Sequence, residues 1–197
     1  FGRVHFWTIG SGPALLLLHQ SGQTSAEYLT LGPVLADSFM VIGIDLPNHG
    51  QSDSSKHEMN ADEYADSILQ VMDNIGVDDF HFLGQHGGAA IGINLGIRYP
   101  ERIGKLILSG AGREENLTEE QIQALIDRPM TRDLPVDADG EFLDKTWDVY
   151  RHMSASSTSP EMTFRPFLTS LINRQRKFDM HYAIFRYQPN LDDLDKE

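Results

Sequence analysis

Gly84-Gln85-His86-Gly87-Gly88 lies between an apolar run, Phe80 to Leu83, and a helix-like run, Ala89 to Tyr99. A strand, a tight glycine-bracketed turn and a helix, in that order, are the setting of a nucleophile elbow, which lifts one side chain above the end of a sheet. The glycines fit because the chain reverses too sharply there for larger side chains. In the Gly-x-Ser-x-Gly form the lifted residue is serine; here it is His86. The stretch therefore points to a scaffold and leaves the reaction open.

Upstream, Val4 to Ile9 reads as a strand ending at the turn Gly10-Ser11-Gly12-Pro13. Ala14 to Leu18 and Phe39 to Ile44 are continuous apolar runs, as expected of strands buried on both faces. Thr24 with Glu27 has the spacing of a capping box and predicts a helix to about Ala36; Asn60 with Glu63 repeats the pattern. After Asn60, Ala61, Tyr64, Ala65, Ile68, Met72 and Ile75 recur at helical spacing up to Gly76. Downstream, the elbow helix stops at Tyr99-Pro100, and Lys105 to Leu108 is a further short strand. Alternating strands and helices predict an α/β fold, a mostly parallel sheet with helices on both faces. Beyond Gly112 the pattern turns helical, with segments at Thr118 to Ile126, Glu141 to His152, Met162 to Gln175 and Phe178 to Tyr187. The division expected is residues 1–112 as the core, 113–190 as a helical layer and 191–197 as the start of a return to the core.

The 197 residues suffice for one sizeable core, and 40% hydrophobic with 23% charged residues is ordinary for a water-soluble domain. A net charge of -13 argues against nucleic acid or an anionic membrane as partner. The absence of cysteine excludes disulfides, thiolate metal sites and cysteine nucleophiles. No run approaches a membrane span and no signal peptide is visible, so a cytoplasmic location is expected; Phe1 at the start implies a trimmed beginning. The eight histidines show no ligand spacing such as His-x-x-x-His, and the elbow glycines do not form a dinucleotide fingerprint. No metal and no cofactor are expected, the partner expected is a small-molecule substrate, and the oligomeric state is left open.

Four motifs in order carry a resemblance to the α/β-hydrolase superfamily. Leu15-Leu16-Leu17-Leu18-His19-Gln20 resembles the apolar strand ending in His-Gly, and Asp45-Leu46-Pro47-Asn48-His49-Gly50-Gln51-Ser52-Asp53 resembles the Asp-Leu-Pro-Gly-His-Gly-x-Ser-Asp turn. The elbow follows, and Arg98-Tyr99-Pro100-Glu101-Arg102 resembles the turn after the elbow helix. The resemblance covers roughly residues 1–112 and implies that the helical segment behind them is a lid. The chain departs from the pattern at His86, at Gln20 in place of glycine, and in stopping before the strands that bear the family's catalytic acid and histidine. Those strands are expected on residues outside this sequence, since a sheet cut here leaves an unpaired edge.

The resemblance implies that the backbone amides of Ser21 and Gly87 bind an oxyanion. His86 keeps three readings: a base or nucleophile, since imidazole is competent at both near neutral pH; a degenerate site that only binds ligand; or an engineered replacement of serine. Gln20, Gln85 and Trp147 are the candidate substrate contacts. Trp147, Tyr150, Met153, Phe164, Phe167 and Phe185 either line an apolar cavity or form the core of the helical segment, and helical spacing favours the core. Glu114 and Glu115 are read as solvated residues rather than a displaced acid, His152 and His181 as surface or packing residues, and His19 as shaping the oxyanion loop. The activity implied is hydrolysis of an ester, lactone or carbon-carbon bond of a small apolar substrate, with ligand binding without turnover as the alternative.

Overall fold

Apolar strands with no polar face have to be covered on both sides, and Leu15–Leu18 is such a strand: its four leucines are all buried. In the computed structural model, which describes residues 2–111, 117–128, 130, 133–174, 176, 178 and 180–195, this run forms the middle of a five-stranded sheet. The strands are β1 (Phe6–Ile9), β2 (Ala14–Leu18), β3 (Met40–Ile44), β4 (Phe80–Gln85) and β5 (Ile103–Ser109), in the spatial order β1-β3-β2-β4-β5. Four run parallel, with Leu15 opposite Val41, Leu16 opposite Phe82 and Gly84 opposite Leu108. The first is antiparallel, Phe6 facing Ile44.

Alternation along β2 feeds two cores. Leu16 and Leu18, with Ile42 and Ile44, pack against Tyr64, Ile68, Met72, Ile91 and Leu95. These belong to α2 (Ala61–Asn74) and α3 (Gly87–Arg98). Leu15 and Leu17 point the other way, onto Val41 and Tyr28. The predicted capping box of α2 forms: Asn60 Oδ1 accepts from the Glu63 amide and Glu63 Oε2 from the Asn60 amide, both at 2.9 Å.

The helix predicted from Thr24 to Ala36 does not form as one element. It divides into a 3-10 turn, Ser25–Tyr28, and a short helix α1, Leu31–Leu35. Thr24 does cap the turn, through the Ala26 amide, but the Glu27 carboxylate is drawn off to Gln20. Among the described residues, the α-helices beyond β5 are α4 (Glu119–Ile126), α5 (Glu141–Met153), α6 (Pro160–Asn173) and α7 (Met180–Arg186). Among the described residues after β5 there is no strand. Asn173, the last residue of α6, donates to the carbonyls of Gly22 and Gln23 and accepts from the Gly50 amide. Met180 and Ala183 of α7 join the core beside α2 and α3. The helical segment is thus seated on the loops that leave β2 and β3.

Those loops are tied together by buried polar groups. His19 Nδ1–H donates to the Gln20 carbonyl at 2.8 Å, while Nε2 accepts from the Leu46 amide at 3.1 Å. That pattern suits a neutral ring. His49 Nδ1–H donates to Pro47 O at 3.0 Å. Burial holds His49 down to about 4 and depresses His19 as well, assisted by the nearby His49. Asp45 is pushed up by burial, but bonds from the Gln51 amide and from the Ser25 hydroxyl and amide outweigh this and leave it lowered. An unfolded histidine takes up its proton near 6.5, whereas His49 resists protonation until about 4. Between those limits the unfolded chain binds more protons, so folding stability must fall as pH falls. Urea unfolding should show a loss of roughly 1.4 kcal/mol per pH unit for each of the two rings between about pH 6 and pH 4. A stability that stays level over that interval would contradict the neutral assignment.

Candidate active site

The end of β4 and the start of α3 meet at His86, whose backbone has φ 46° and ψ -110°. A non-glycine residue with positive φ is strained and persists only where its surroundings enforce it. The enforcement is visible. A Cβ on Gly84 would lie 2.6 Å from the backbone of Gly88, and one on Gly88 would overlap Leu18 O and sit 2.7 Å from His19 O. The first turn of α3 therefore rests on the carboxyl end of β2, and the chain between must bend at His86. The His86 amide donates to Ser109 O at 2.8 Å, fastening the bend to β5. The His86 ring is exposed and lies against Gly110, where a Cβ would come within 2.9 Å of Cε1.

The loop after β2 forms the facing wall. The space a Gly87 Cβ would fill is 3.1 Å from the Ser21 amide nitrogen, so the two expected oxyanion donors are neighbours. Gly87 is the first residue of α3, and its N–H has no acceptor within the helix. Gln20, Ser21, His86 and Gly87 line one cavity of about 330 Å³, with His181 and Phe185 of α7 on the opposite side.

Two expected substrate contacts are not brought there. Trp147 is held edge-on between Phe164 and Phe167, with ring centres 6.5 and 5.4 Å away, inside the α5–α6 pair. Gln85 stays in the β4 ladder opposite Ser109 and is not part of the cavity wall. Met153 and Phe164 are exposed. His181, expected at the surface or in packing, instead lines the cavity with His86. Glu114 and Glu115 lie outside the described residues.

Glu27 is a further residue that spacing did not reveal. Its carboxylate accepts from the Gln20 side-chain amide at 2.7 Å and from the Gln20 backbone at 3.3 Å. Burial raises its pKa, opposed by the Gln20 bonds and by the His86 ring. Gln20 is thereby pinned by its amide and does not swing freely into the cavity. Among the described residues, no three His, Asp or Glu side chains gather as metal ligands, and no helix is long and apolar enough to cross a membrane.

Residues 13–161 match the family described as alpha/beta hydrolase fold, and the chain belongs to it. It is 35% identical over 115 residues to a 2-hydroxy-6-oxo-6-phenylhexa-2,4-dienoate hydrolase of Burkholderia cepacia, covering 56% of this chain and 40% of that protein. A 2-hydroxy-6-oxononadienedioate/2-hydroxy-6-oxononatrienedioate hydrolase of Comamonas testosteroni matches with the same identity and coverage. The matched part is thus well under half the length of these relatives. Among solved structures, a thermophilic esterase from Thermogutta terrifontis superposes with a TM-score of 0.73 at 19% identity, over 97% of this chain and 70% of that one. An enol-lactonase from Burkholderia xenovorans gives 0.63 at 17% identity, over 98% and 70%. At these identities the likeness is one of fold.

The bend makes a direct prediction. Gly88→Ala places a methyl group against two backbone carbonyls that cannot rotate away, and should cost about 3 kcal/mol or more in chemical denaturation. A loss below about 1 kcal/mol, the ordinary scale for a point substitution, would mean that α3 does not rest on β2 as described.

Proposed function

We propose that the protein is a hydrolase of small, largely apolar organic substrates that contain an activated carbonyl: an ester, a lactone or a ketone whose carbon-carbon bond is cut. The observation that carries this reading is the shared cavity, which His86 lines together with Ser21 and Gly87, the two residues whose amides are neighbours. In this reading His86 takes a proton from water as the water oxygen adds to the carbonyl carbon. The two amides hold the oxyanion formed. Collapse of the tetrahedral species breaks the bond to the leaving oxygen or carbon, which receives a proton, and releases the acid. Residues 113–190 act as the lid that keeps bulk water out, over a core of residues 1–112, and residues 191–197 begin the return to that core. The two dienoate hydrolases support a small organic substrate and a carbon-carbon bond as one of its forms.

One observation favours a second reading, binding without turnover. Glu27, the carboxylate that faces the His86 ring electrostatically, has both oxygens bonded to Gln20 and does not hold the ring in one tautomer.

Turnover of aryl esters, lactones and a 1,5-diketone by the protein, His86→Ala and His86→Ser separates the readings. The protein should be active, and His86→Ala should lose roughly 10²- to 10⁴-fold in kcat with KM little changed. Activity in His86→Ser alone would contradict the base role. Ligand binding with no turnover in any of the three would establish the second reading.

A further inference from the structure

Hydrolysis in the manner above asks for two proton movements: His86 takes a proton from water, and the leaving group needs one. The cavity that His86 lines holds a second imidazole, His181. Among the described residues lining it there is no Asp, Glu, Lys or Arg, so the side chains that exchange protons near neutral pH are these two rings. Tyr187 also lines the cavity, but it packs against the hydrophobic core together with Ile184.

Packing fixes where the second ring stands. Met180, the first residue of α7, is fully buried, and its Cε lies 3.0 Å from the position a Gly87 Cβ would take. Helix α7 therefore starts against the first residue of α3, and Ala183, three residues on and on the same face, is buried in the same core. His181 follows Met180, and its Cε1 is 4.0 Å from the position of a Cβ on Gly22, the neighbour of Ser21. One turn further, the Phe185 ring centre lies 5.7 Å from that of His181, and both residues line the cavity. The His181 ring thus stands beside the loop that carries one oxyanion donor, on the helix that abuts the residue carrying the other. His49 is no rival for the proton: burial, assisted by the nearby His181 and Arg176, holds it neutral near pH 7.

We propose that His181 is the acid of the reaction, a catalytic residue on the lid that gives its proton to the leaving atom while His86 acts as the base on the opposite wall. The water oxygen bonds to the carbonyl carbon, one water proton goes to His86, and the carbonyl electron pair moves to the oxygen held by the Ser21 and Gly87 amides. That pair then re-forms the carbonyl, the bond to the leaving oxygen or carbon breaks, and the electrons of that bond take the proton of the His181 imidazolium. His86 ends protonated and His181 neutral, and exchange with water restores both. The lid in this reading is part of the chemistry as well as a cover. The proposal rests on the hydrolase reading above for the carbonyl, and on the packing of α7 for the place of the second ring.

Hydrolysis of the acetate esters of 4-nitrophenol, phenol, trifluoroethanol and ethanol by the protein, His181→Gln and His181→Ala tests the assignment. A nitrophenolate leaves without a proton, whereas an alkoxide needs one. For the protein itself kcat/KM should change by less than about tenfold along the series. Both His181 variants should lose about 10²-fold or more on the ethyl ester and at least about tenfold less on the 4-nitrophenyl ester. His86→Ala, which removes the base, should lower the rates of all the esters by a similar factor. A loss in the His181 variants that is the same for every ester would show a structural role and overturn the proposal. Should those variants fail to fold, the series on the parent protein decides: kcat/KM falling about a hundredfold or more from the 4-nitrophenyl to the ethyl ester would mean that no acid assists departure. Hydrolysis with one leaving-group dependence shared by the protein and its His181 variants refutes the acid role and keeps the hydrolase reading. Absence of hydrolysis for every ester refutes the hydrolase reading and the acid role with it.

Discussion

Backbone meets backbone where the first turn of α3 lies on the carboxyl end of β2, and the rest of the site follows from that contact. Only a residue without a side chain allows Gly88 to reach the carbonyls of Leu18 and His19. Once helix and strand are that close, residue 86 has no room to turn with an ordinary φ, and its side chain is driven out over the sheet. The same closeness brings the start of α3 beside the loop after β2, so the Gly87 and Ser21 amides become neighbours. Position, exposure and the facing donors thus have one origin in packing, and none depends on which side chain occupies the tip.

That independence explains how the scaffold tolerates two departures from the family pattern at once. Gln20 sits where a glycine is usual, and its long amide would intrude on the cavity were it not tied back by Glu27. The carboxylate that holds it also faces the His86 ring electrostatically. The unusual loop residue and the unusual elbow residue are therefore linked through one partly buried acid. Behind them, neutral His19 and the well-bonded Asp45 fix the loop bearing Gln20 and Ser21 to the turn after β3.

Much of this was legible in the sequence because its causes are local. Apolar runs at residues 14–18 and 39–44, and glycines at 84, 87 and 88, state burial and close approach directly. The pair Asn60 and Glu63 gave a true capping box, because His57 engages only Oε1 of Glu63 and leaves Oε2 to the Asn60 amide. Thr24 and Glu27 have the same spacing and did not, because Gln20 takes the carboxylate. Trp147 illustrates a different limit: helical spacing marks a buried face without saying whether a cavity or another helix covers it, and here Phe164 and Phe167 cover it. His181 was beyond reach for the same reason. Its place on the cavity wall arises from where α7 settles on loops far away in the chain, which no local pattern encodes.

The central claim is that packing forces a strained bend on residue 86, and unfolding free energies of His86→Gly and His86→Ala test it most directly. Glycine ordinarily costs about 0.5–1 kcal/mol relative to alanine in regular structure. Here the account predicts the reverse, with the glycine variant more stable by about 1 kcal/mol or more because it alone relieves the positive φ. An alanine variant as stable as the glycine variant, or more so, would show that the bend carries no strain and that the site is not held as described.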